Sequence, residues 1–254
     1  MYAIELQEMS PQFLDCWKAA GNHLNQQVQD GIQSWLRAHP FPPFLEHLSF
    51  RLGNQLFFIR VEDIDQDIEG PGSLAGLNAI ADGCKGHPCR MPMKRKSLGS
   101  EWAPVHGGWG LLDARTGNAI DPYLLVSEEN IEMTEWEIHD VAVQAVNSQL
   151  EKEGRQLMSW QGNPNVDPAI WFVGDSNGPE WVAVRAVRYP ADEAPKPENW
   201  EDIASQCARI STIGHFASIA LVSTNQRCET QGEPIVPLWR GHGVYLRYGG
   251  LQPT

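Results

Sequence analysis

Apolar side chains recur at three- and four-residue intervals in Phe13, Trp17, Ala20, Leu24, Val28, Ile32 and Trp35, the spacing of one helical stripe. Ser10 is a good N-cap, and Pro11 fits the first helical position, where its missing N–H costs nothing. The pattern therefore predicts a helix that opens at Ser10 and stops before Pro40. Two strand-like runs follow, 45–52 and 55–61, separated by Gly53 and Asn54, a pair suited to a tight hairpin turn. A second helix is expected over 73–83, and a less regular stretch with Trp102 and Trp109 runs on to Pro122.

The same order returns further along. Thr134 and Glu137 have the spacing of a capping box, and Ile138, Val141, Ala142, Ala145, Val146 and Leu150 line one helical side until Gly154 ends it. Strands are expected over 156–160, 169–174 and 181–189, with Asn177, Gly178 and Pro179 turning the last pair. A helix over 199–210 and closing strands over 214–223 and 236–248 complete the series.

This alternation predicts an α/β (α+β) fold built from two tandem pseudo-repeats, 1–127 and 128–254. Three landmarks carry the repeat. Ser10 overlies Thr134, Phe57 to Arg60 overlie Val182 to Arg185, and the Ile80, Ala81, Cys84 pattern overlies Ile203, Ala204, Cys207. A nearly constant offset of about 124 residues is what a duplicated module leaves behind.

Composition narrows the class. Hydrophobic residues make up 42%, charged residues 20%, and ten tryptophans are present, so a packed globule is expected rather than disorder. The formal charge is −13, with ten basic against fourteen acidic residues in 1–127 and nine against eighteen in 128–254. An acidic balance argues against general DNA or RNA affinity, because nucleic-acid binding releases counterions from phosphates through a basic surplus. Met1 to Glu8 lacks the basic start and apolar run of a secretory signal, and no apolar segment reaches membrane-spanning length. Five cysteines in a chain of 254 residues read as reduced thiols. A cytoplasmic protein is expected.

Several groups have the right chemistry for a site. Cys84, His87 and Cys89 offer thiolates and an imidazole to a Zn²⁺ ion, though a fourth ligand is missing; the competing reading is a thiol cluster at a helix end. Asp63, Asp65, Asp67 and Glu69 alternate like the start of a calcium loop, but Ile68 stands where the turn glycine belongs and Leu74 where the bidentate Glu belongs. Lys85, Arg90, Lys94, Arg95 and Lys96 form the one basic concentration, fit for an anionic partner or for a solvated loop. Trp160, Trp171, Trp181, Trp200 and Trp239 suit either an aromatic groove or, more simply, core packing. His215 and His242 each sit beside glycine and offer an acid–base or ligand pair. No Gly-x-Ser-x-Gly elbow, phosphate-binding loop or His-Glu-x-x-His pattern occurs.

The order helix, three strands, helix, strand over 133–225 resembles the core of the restriction-endonuclease-like PD-(D/E)xK nucleases. That resemblance implies a first Asp at the start of one strand and an acid two residues before a Lys on the next, together holding Mg²⁺ and positioning a water. Asp167 matches the first position and Arg185 stands in place of the Lys. Ala183 occupies the second acidic position and Glu180 lies outside the expected spacing, so the implied metal site is broken. In the first half Phe58 and Arg60 take the corresponding places. The expectation is a non-catalytic, accessory or immunity-type protein that binds a protein partner, a basic one by charge complementarity, and needs no cofactor. The alternative is a Mg²⁺-dependent nuclease using Asp167, Arg185 and a displaced carboxylate, Glu180 or Glu137.

Overall fold

The structure is a computed structural model that describes residues 10–36, 48–65, 73–96, 101–226 and 234–253. The chain divides into two compact units, Met1–Glu128 and Glu129–Thr254. Both mix helices with one sheet. The first contains α1 (Pro11–Gln26), β1 (Leu48–Leu52), β2 (Gln55–Asp63), α2 (Leu74–Gly83), β3 (His87–Arg95), the short strands β4 (Trp102–Pro104), β5 (Leu111–Asp113) and β6 (Ala119–Ile120), and α3 (Pro122–Leu125). The second contains α4 (Glu135–Lys152), β7 (Gln156–Trp160), β8 (Ile170–Val173), β9 (Pro179–Arg188), α5 (Trp200–Cys207), β10 (Gly214–Ser223), β11 (Val244–Tyr248) and β12 (Gln252–Pro253).

The first sheet runs β1-β2-β3-β5-β6, with β4 also on β3; the second runs β11-β10-β9-β8-β7, with β12 also on β10. In each, two antiparallel strands are followed by a helical crossover to a parallel third strand: β1, β2, α2 and β3 in one, β8, β9, α5 and β10 in the other. Alternation along the strands then divides each sheet into two faces. Phe57, Ile59 and Val61 pack with Phe13, Cys16 and Trp17 of α1. Val182 and Val184 pack with Ile138, Ala142 and Val146 of α4, while Trp181 and Ala183 face Ile203 and Cys207 of α5. No helix of the described residues is long and apolar enough to cross a membrane.

Both expected caps form. Ser10 Oγ accepts from the Phe13 amide, and at α4 the Thr134 and Glu137 side chains cap each other's backbone. Three expectations fail for identifiable reasons. The helix expected to reach beyond Trp35 ends at Gln26, because Asn25 Oδ1 accepts the Ile32 amide at 2.8 Å and Gly31 turns the chain at φ +74°, a local side-chain bond that competes with helix. Ile32 is still buried and Val28 and Trp35 still pack on the core, and Trp35 bridges Phe50.

Strand β3 falls where an irregular stretch was expected, since Pro88 and Pro92 disguise it. Their carbonyls accept from Ala114 and Val105, both at 2.9 Å, so the missing N–H groups face the side where the sheet continues only as the short β4 and β5 rather than the unbroken ladder with β2. The closing strand expected over 236–248 shortens to β11, with the preceding stretch contributing only the Glu132 to Trp239 bridge.

Candidate functional site

The carboxylates expected at the site in the second unit, Asp167, Glu180 and Glu137, fall into three separate pairs. Asp167, in the turn before β8, receives both arms of the Arg185 guanidinium: Nη1 to Oδ1 at 2.9 Å and Nη2 to Oδ2 at 2.6 Å. Arg185 Nη1 also donates to the Val184 carbonyl at 2.8 Å. Arg185 shares the parity of Trp181 and Ala183, so the pair lies on the α5 face of the sheet. The Asp167 charge also reaches Cys207, whose thiol is pushed up to about 11, chiefly by burial and further by that carboxylate.

Glu180 shares the parity of Val182 and Val184 and lies on the opposite, α4 face. Its Oε2 stands 2.7 Å from Nε2 of His215, and both side chains are largely shielded, 11% and 16% exposed. A carboxylate oxygen only accepts, so His215 Nε2 is the donor in this contact. Phe172 lies against the imidazole, with ring centroids 5.8 Å apart. The carboxylate rests on Gly174, where a side chain would overlap it.

Glu137 is engaged elsewhere. It accepts from Arg240 Nε at 2.7 Å and Nη2 at 2.8 Å, and from the amide and hydroxyl of Thr134 at 2.8 and 3.0 Å. Asp167 and the carboxylate expected to join it on a Mg²⁺ ion, Glu180 or Glu137, therefore do not converge. Asp167 is clamped by one guanidinium, Glu137 by another, and Glu180 is turned to the other face with a histidine. Among the described residues no group of three or more His, Cys, Asp or Glu is placed to hold a metal ion.

The first unit holds a counterpart that its sequence does not advertise. His87 Nε2 donates to Gln55 Oε1 at 3.0 Å and stacks on Phe57 at 5.1 Å. His87 pairs with Phe57 across β2 and β3, as His215 pairs with Val182 across β9 and β10. Gln55 precedes Phe57 by two residues and Glu180 precedes Val182 by two. Both units thus join the head of their second strand to a histidine that opens the third, through an amide in one and a carboxylate in the other. A glycine precedes each histidine. A methyl on Gly86 would stand 2.7 Å from the Phe58 ring, and one on Gly214 would overlap Trp181.

This geometry takes His87 out of the expected Zn²⁺ trio. Cys84 closes α2, whereas Cys89 Sγ lies in the α1-side core, donates to the His87 carbonyl at 3.5 Å and is held protonated by burial and by the Asp113 charge. A protonated, buried thiol is a poor ligand. Of the expected calcium loop, Asp63 and Asp65 form a local turn, the Asp65 amide donating to Asp63 Oδ1 at 3.1 Å, while Asp67 and Glu69 lie outside the described residues. Two members of the basic cluster are paired with carboxylates, Arg90 with Glu62 at 2.6 Å and Lys96 with Glu101 at 2.9 Å, and Arg95 covers the Trp102 ring at 5.0 Å.

The tryptophans do not form one groove. Trp171, Trp181 and Trp200 pack together on the α5 face, Trp160 belongs to the α4-side core, and Trp239 lies in the bridge to Glu132. His215 and His242 sit at opposite ends of β10, about 30 Å apart along a strand of this length, since Gly243 meets Thr224. Residues 136–254 match the sequence family described as Domain of unknown function (DUF8840). Among curated proteins and among solved structures, nothing matches the chain.

Proposed function

We propose that this chain is a non-catalytic protein-binding protein of the accessory or immunity type, with two units descended from one duplicated module and a nuclease-like core in the second. The observation that carries the reading is the Asp167 to Arg185 clamp. Both oxygens that a divalent cation would need are occupied by one guanidinium, and the alternative acid Glu180 projects from the other face of the sheet. A fold that keeps its element order while its would-be ligands are tied into ion pairs retains a surface rather than a reaction centre. A charge of −13 favours a basic protein partner through long-range attraction. The buried thiols of Cys16, Cys89 and Cys207 fit a reducing, cytoplasmic setting.

The test compares the wild type, Asp167→Ala and Arg185→Lys on DNA and RNA with Mg²⁺ or Mn²⁺. The expected result is no cleavage that depends on Asp167. Cleavage abolished by Asp167→Ala would establish the nuclease alternative and remove this proposal. Affinity capture from the native host should return a specific basic protein, released as salt is raised.

A further inference from the structure

The parallel strands β9 and β10 end side by side at Arg188 and Ser223. Crevices outside the carboxyl ends of parallel strands are common ligand positions in α/β sheets. Here a cleft of about 130 Å³ opens, with Leu221 and Leu238 as its buried floor and Val236, Pro237 and Ile235 along one side. It is far smaller than the roughly 300–1,000 Å³ of a small-molecule site, and its size suits one side chain. Its rim carries exposed apolar surface: Ile235 is 55% exposed.

The charged lining residues are Glu132 and Arg188, and Glu135 stands just outside them. Glu135 binds Arg188 at 2.7 Å and Glu132 lies 4.0 Å from the same guanidinium, so two carboxylates, 74% and 48% exposed, share one cation. Among the described residues of this ion-pair group, the carboxylates outnumber the cations by one. A protein segment that inserts an apolar residue there and carries Lys or Arg beside it meets both features, with the anchor desolvated at the centre and the charges at the rim.

We propose that this cleft is the docking point for a basic protein segment, with one leucine- or phenylalanine-like anchor seated over Leu221 and Leu238. The inference rests on the protein-binding reading and names its surface and the chemistry of its partner.

The experiment titrates the full chain with labelled lysine–serine peptides that differ only at a central leucine, phenylalanine or aspartate, and maps contact by hydrogen exchange. The leucine and phenylalanine peptides should bind about tenfold more tightly than the aspartate peptide and protect 221–223 and 235–238. Ile235→Glu, at a position exposed enough to leave folding intact, should abolish that preference, and Glu132→Lys should weaken all three peptides. Equal binding of the three, unchanged binding by Ile235→Glu, or no binding overturns the assignment. Binding that persists in Ile235→Glu with protection elsewhere moves the surface but leaves a protein-binding function standing. Asp167-dependent cleavage defeats that function whatever the peptides do.

Discussion

Arg185 and Arg240 each hold a carboxylate with two nitrogens, yet their settings differ. The Arg240 side chain is fully buried and Glu137 is 4% exposed, while Arg185 and Asp167 are 24% and 12% exposed. Removing one member of a buried pair strands the other charge away from water, which costs about 3–5 kcal/mol. The Asp167 pair is partly shielded, so its loss falls between that and the roughly 1 kcal/mol of an exposed pair. Arg240→Ala should therefore lower the urea midpoint more than Arg185→Ala does. Neither the partnership of Glu137 with Arg240 nor that of Gln55 with His87 is readable from spacing, because the partners are 103 and 32 residues apart. Sequence exposes residue types; only the folded sheet chooses among Cys84, Gln55 and Cys89 as the neighbour of His87.

At the scale of elements, local chemistry was legible wherever it acts within one turn. Thr134, Glu137, Ser10 and Pro11 mark helix starts because their bonds span three residues, and those starts appear where expected. Thr134→Ala should destabilise the protein by about 1 kcal/mol, whereas Asn199→Ala should change little, since Asn199 makes no side-chain cap bond to α5. Chemical denaturation of the two variants compares them directly. The failures also have local signs misread for want of context. The apolar spacing through Ile32 and Trp35 marks burial correctly but not helix, because Asn25 and Gly31 reverse the chain. Pro88 and Pro92 are tolerated in β3 only because the neighbours on their donor side are short.

Across the whole molecule, the two units have separate cores: one runs from Phe13 to Leu111 and the other from Met133 to Leu238. A unit that buries its own helix against its own sheet can fold alone. Residues 129–254, expressed separately, should unfold cooperatively in urea and retain the near-ultraviolet signal of packed Trp181 and Trp200, whose rings lie 5.1 Å apart. Loss of that signal would show that the second core depends on the first.

Periodicity and caps alone determined that this chain alternates helices and strands in two stretches, because helical stripes and turn residues encode their effect over a few neighbours. The pairing of Asp167 with Arg185, of Glu180 with His215 and of Gln55 with His87 was decided only by tertiary structure. Strand parity sends adjacent residues to opposite faces, and the register between distant strands decides which polar groups meet. Register is set by packing of the whole sheet against its helices, and no local window of sequence contains it.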